Sequence, residues 1–89
     1  MRKATLGDYL KTTREAAGLT QADVSNALGY STPQFISNWE RSLSAPPVNA
    51  IKRLGQLYKI DANEMFEVIL QAEIEATTAD LRRKFKSAR

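Results

Sequence analysis

The chain has 89 residues, a formal net charge of +3, and neither cysteine nor histidine. That length suits one core, and the two missing residue types exclude disulfides, thiolate or imidazole catalysis and the usual zinc sites. No cofactor and no enzymatic activity are therefore expected, and with no long uncharged apolar run and no signal-peptide h-region the chain reads as soluble and cytoplasmic, with no membrane partner.

Taken in chain order, Thr5 and Asp8 form a capping-box-like pair, and Leu6, Leu10 and Ala17 recur near helical spacing until Gly18, which predicts a helix over 6–17. Thr20 is placed to cap a second, short helix over 21–28, whose Val24, Ala27 and Leu28 stripe stops at Gly29. Ser31 or Thr32 caps a third helix running to Arg41. Pro33 suits its first turn, and Phe35, Ile36 and Trp39 supply its inward face.

After a loop over 43–46, Pro47 opens a fourth segment with a stripe of Ile51, Leu54 and Leu57 or Tyr58 that ends near Lys59. Asp61 and Glu64 start a fifth. With neither Gly nor Pro after them, this helix is expected to be long, with Phe66, Ile69 and Leu70 completing the core. Leu70, Ile74, Thr77 and Leu81 then continue a 4-3-4 stripe suited to a partner helix.

Charge is distributed unevenly along these elements. Residues 1–60 carry eight basic and four acidic side chains, residues 61–81 six acids and no base, and residues 82–89 five bases and no acid. A basic body followed by an acidic helix fits a polyanion-binding domain with an appendage of another purpose. Arg2 and Lys3 extend the basic character as a possible arm toward phosphates.

The run Leu19-Thr20-Gln21, Val24-Ser25, Leu28-Gly29-Tyr30-Ser31, then Ile36-Ser37-Asn38-Trp39-Glu40-Arg41, resembles the phage-repressor (lambda repressor-like, Xre-type) helix-turn-helix family over residues 5–70. The resemblance implies an all-α, five-helix lambda-repressor-like DNA-binding domain over 1–70, followed by a C-terminal helix extension and basic tail over 71–89. Two features depart from the family pattern. There is one extra residue between Gly29 and Glu40, and Ser42 stands where glycine is usual after Glu-Arg.

The resemblance also implies roles. The third helix would enter the major groove of double-stranded DNA, with Gln34 as the leading base reader because its amide matches N7 and N6 of adenine. Thr32, Pro33, Ser37, Asn38 and Arg41 join it as base or phosphate contacts, and Gln21 resembles the family glutamine that meets a backbone phosphate. Arg14 and Glu40 fall where the family forms a structural ion pair. The expected function is a dimeric, sequence-specific repressor on a palindromic operator, with Leu70, Ile74, Thr77 and Leu81 as the homodimer contact. Two other readings use the same chain: an antitoxin that binds a protein partner through the C-terminal helix, and an interaction module without DNA binding.

Overall fold

Thr5 Oγ1 accepts from the Asp8 amide at 3.1 Å while Asp8 accepts from the Thr5 amide at 3.0 Å. This reciprocal cap starts α1, Leu6–Ala16. It is the first of five helices among the residues that the computed structural model describes, 5–89. The arm read at Arg2 and Lys3 lies outside those residues. Thr20 and Asp23 repeat the device at 3.0 and 2.9 Å and start α2, Gln21–Leu28.

The helix ends share a mechanism as well. After α1 and α2, Gly18 and Gly29 take the left-handed conformation at φ 76 and 81. The amides of Leu19 and Tyr30 then fold back onto the carbonyls of Arg14 and Ser25. This closes each helix with a Schellman turn that uses carbonyls otherwise left without partners. The same closure follows α3, Gln34–Glu40, and α4, Val48–Tyr58. There the left-handed residues are Ser42 and Lys59, at φ 59 and 58. A side chain in that conformation costs roughly 1–2 kcal/mol, so each of these turns is held by something besides local preference.

The α3 turn shows what holds it. Ser42 Oγ accepts from the Gly7 amide at 3.1 Å, which satisfies one of the donors that the first turn of α1 leaves open. Gly7 is buried against this junction, and a Cβ there would lie 2.2 Å from the Glu40 carbonyl oxygen. Glycine at position 7 thus lets α1 approach the end of α3 closely enough for the Ser42 hydroxyl to reach it.

Leu10, Val24, Ile36, Trp39, Ile51, Leu54, Tyr58, Met65 and Ile69 form the core, so every helix contributes to it. Each large apolar side chain contributes roughly 1.5–3 kcal/mol by leaving water. Two aromatic side chains depart from the expected pattern. Phe35 is 54% exposed and lies against the Tyr30 ring, whereas Ile36 and Trp39 point inward. α3 has only seven residues, so its inward arc holds two large side chains and not three. Phe66 is also exposed, because Met65 and Ile69 take the α5 positions that face the body.

The start of α3 also differs from the expectation. Pro33 is the cap residue and makes no side-chain cap, and the helix begins at Gln34. Thr32 Oγ1 accepts from the Gln34 amide at 3.3 Å from outside the helix. α5, Ala62–Ser87, is continuous for 26 residues and capped by Asp61, which accepts from the Asn63 and Glu64 amides. It leaves the body midway, and a groove of about 1070 Å³ separates α1 and the α3–α4 loop from residues 67–79.

Candidate nucleic-acid interface

The second helix of a helix-turn-helix is useful only if the turn before it is rigid, because the turn sets where its polar face points. Here the turn is five residues, Gly29 to Pro33, between α2 and α3. Its anchor is Ser25, which is buried in α2 and donates its hydroxyl proton to the Thr32 carbonyl at 2.7 Å. A connector carbonyl outside any helix ladder needs a donor, and the Ser25 hydroxyl supplies it where an alanine could not. Tyr30 adds the second anchor, with its ring edge-on to Trp39 at 6.1 Å and tilted on Phe35 at 5.0 Å. Phe35 therefore packs on the turn and not in the core.

On the opposite side of α3, Gln34, Asn38 and Arg41 share one face at helical spacing. Gln34 Nε2 donates to Asn38 Oδ1 at 2.8 Å, and Arg41 Nη2 donates to the same oxygen at 3.0 Å. With both lone pairs of Oδ1 engaged, the Asn38 amide is oriented so that its Nδ2 group is left as a pure donor. Gln34 uses one amide proton internally and keeps a second proton and Oε1, a donor beside an acceptor. Ser37 lies half-buried beside this face, and Thr32 and Pro33 are exposed at its N-terminal end.

Behind the face lies the Arg14–Glu40 pair. Arg14 Nε and Nη2 donate to the two Glu40 carboxylate oxygens at 2.6 and 3.0 Å, and Nη1 donates to the Leu19 carbonyl at 2.8 Å. Both side chains are nearly withdrawn from water, at 10% and 4% exposure. The paired geometry with Glu40 raises the Arg14 pKa further above its ordinary value. Tyr58 packs nearby in the core, and burial first, then the Glu40 charge, push its hydroxyl pKa well up.

Gln21 joins this network. Its side-chain amide donates to Glu40 Oε1 at 3.0 Å, so a fourth hydrogen-bonding group ties the start of α2 to the end of α3. The long-range bonds of Gln21, Ser25 and Ser42 were absent from the sequence reading, because spacing along one helix carries no information about a partner on another. A small polar residue at 25, in a stripe otherwise apolar, is the one signal in the sequence that points to such a bond.

Arg41 at the end of α3, and Lys52 and Arg53 on α4, are exposed cations. The four acids of residues 5–60 do not offset them equally. Asp8 and Asp23 are committed to helix caps, and Glu40 is neutralised by Arg14. The Thr20 amide holds the Asp23 carboxyl below the usual range, so it stays ionised at the N-terminus of α2. Among the described residues no cluster of side chains is arranged to hold a metal ion, and no helix is long and apolar enough to cross a membrane.

Compared with known families, residues 5–67 match the family described as helix-turn-helix domain. A comparison with curated proteins gives no significant match.

Proposed function

Because this chain belongs to the helix-turn-helix domain family, a DNA-binding regulator is the starting point, and we propose that it is a sequence-specific repressor of the lambda repressor-like, Xre-type kind. In this reading it acts as a homodimer on a palindromic operator. The observation that carries the proposal is the Gln34–Asn38–Arg41 face, three hydrogen-bonded polar side chains on the outer side of a helix whose inner side is locked by Ile36 and Trp39. Such i,i+4 and i,i+3 bonds also support the helix by a few tenths of a kcal/mol, and here they leave the remaining amide and guanidinium groups available for a ligand.

Each residue takes a role from its remaining hydrogen-bonding capacity. Gln34, with a donor and an acceptor side by side, matches the N6 and N7 edge of adenine. Asn38 presents only donors, which suits the acceptors of the major groove, N7 and O6 of guanine or O4 of thymine. Arg41 keeps further guanidinium donors for a phosphate or a guanine, and Ser37, Thr32 and Pro33 line the approach to the backbone. Gln21 supports DNA indirectly through Glu40, while the open amides at the first turn of α2 are the donors for a phosphate.

One recognition helix reads only a few base pairs, so a twofold pair reading half-sites about 34 Å apart supplies the specificity a repressor needs. The test is selection of bound sequences from random duplex DNA by the full-length protein. A consensus with inverted half-sites is the expected result. Recovery of unrelated sequences in proportion to the input pool rules out sequence-specific reading.

A further inference from the structure

The outer half of α5 offers a surface that the fold does not use. Leu70, Ile74, Thr77, Leu81 and Phe85 fall within an arc of about 80° on the helix at 3.6 residues per turn. Ile74, Leu81 and Phe85 are 48%, 59% and 83% exposed. Met65 and Ile69, which face the core, lie on the other side of the same helix. A stripe this apolar on a charged helix is covered by something.

The order of residues along the stripe identifies what fits it. About the Thr77–Thr78 junction the apolar positions are mirrored: Leu70 stands as far before it as Phe85 stands after it, and Ile74 matches Leu81 in the same way. Charge is opposite at the two ends of the stripe: the basic run 82–89 mirrors onto residues 66–73, which carry Glu67 and Glu73 and no base, while Glu75 and Asp80 mirror onto each other near the crossing. A stripe symmetric in apolar character and opposite in charge at its two ends is complementary, at those ends, to its own reversed copy. It is not complementary to itself in parallel, which would set acids on acids and bases on bases.

We infer that α5 pairs with α5 of a second copy of this chain in an antiparallel, twofold arrangement crossing at Thr77–Thr78. Leu70 and Ile74 of each copy pack on Phe85 and Leu81 of the other. Helical geometry then puts Glu73 on the same flank as Lys84 of the second copy. Because the interface is isologous, every such pairing occurs twice. The basic tail is thereby assigned to the second copy and not to DNA. Within one chain, Asp80 already holds Arg83 and Lys84, the latter at 2.9 Å, which keeps these side chains close to the helix surface. The inference deepens the dimeric reading above and rests on it, but not on the DNA-reading face.

Equilibrium sedimentation of the full chain without DNA tests association apart from DNA binding. The expected result is a reversible dimer whose dissociation constant rises about tenfold or more between about 50 and 500 mM salt, as screening shortens the reach of the charge pairs. Ile74→Glu, and separately the double variant E67K/E73K, weaken it by a similar factor while far-ultraviolet circular dichroism stays unchanged, since these side chains are exposed in the monomer. Orientation is read by cysteine variants of a chain that contains no cysteine. Thr78→Cys, at the crossing, oxidises to a covalent dimer, whereas Phe85→Cys, some 20 Å from its own copy by the 1.5 Å helical rise, does not. A chain monomeric at all concentrations gives the stripe another occupant and overturns the inference. Equal cross-linking through both cysteines overturns the antiparallel arrangement. Neither result touches half-site reading by α3, which a monomer still performs.

Discussion

Replacing Glu40 by Gln removes one charge from the centre of the molecule and leaves nearly everything else in place. The Arg14 guanidinium, 10% exposed, then loses its paired carboxylate and keeps its bond to the Leu19 carbonyl. Removing one partner of a buried pair costs about 3–5 kcal/mol, because the surviving charge stays desolvated. A domain of this size has a total stability of about 4–13 kcal/mol at 0.05–0.15 kcal/mol per residue, so the variant stands near the edge of unfolding. Urea titration followed by circular dichroism measures the loss. With a slope of about 1 kcal/mol per molar, the midpoint falls by about 3 M or the variant is already unfolded in buffer. The double variant R14M/E40L, which removes both charges and fills the space, is expected to be more stable than either single replacement. A loss under about 1 kcal/mol for Glu40→Gln, the value of an exposed pair, refutes the claim that this contact fastens α1 to α3.

Further expectations follow from the helix junctions. Ser42→Ala keeps the left-handed strain and deprives the Gly7 amide of its acceptor, whereas Ser42→Gly relieves the strain while losing the same bond. The alanine variant is therefore less stable than the glycine variant by about 1 kcal/mol in chemical denaturation. Gly7→Ala drives a methyl group onto the Glu40 carbonyl, a backbone atom that cannot rotate away, and lowers stability by about 1–3 kcal/mol. Tyr58 has its pKa raised in the folded state, so its neutral form stabilises the fold fully below the unfolded value of 10.0 and less as pH rises beyond it. Stability measured from pH 9 upward should fall, and the fall should be shallower in Tyr58→Phe; identical slopes would contradict the assignment.

The parts of this structure that depend on neighbours in sequence were legible in it. Capping residues Thr5, Thr20 and Asp61, the stopping glycines Gly18 and Gly29, and the uninterrupted stretch after Asp61 each act within one turn of the chain, and the helices begin and end close to them. Lys59 did not announce its left-handed turn, because nothing in a lysine distinguishes a residue held there by the packing of α4 on α5. At Gly55, which lies in that junction, an added Cβ would meet the Ile60 carbonyl oxygen at 2.8 Å, and this tightness is tertiary information. Phe35 misled for a related reason: a seven-residue helix has too few turns for periodicity to decide between two adjacent apolar side chains.

The candidate site divides along the same line. Gln34, Asn38 and Arg41 share a face by spacing alone, so their grouping could be read from the chain. Their mutual hydrogen bonds, and hence which amide atoms remain for a base edge, depend on rotamers that spacing does not specify. Ser25 is the clearest case. Its position in α2 is ordinary, and its importance comes from a carbonyl seven residues away in the lengthened turn.

Reading by the α3 face is tested most directly by fluorescence anisotropy with the selected operator and a set of its single-base variants, at one near-physiological salt concentration. The wild-type protein should discriminate by about 1–3 kcal/mol at the adenine assigned to Gln34, and Gln34→Ala should lose that discrimination while retaining its affinity for unrelated duplex DNA. Unchanged discrimination at every position in Gln34→Ala, or an equal loss of affinity on all sequences, would contradict the account.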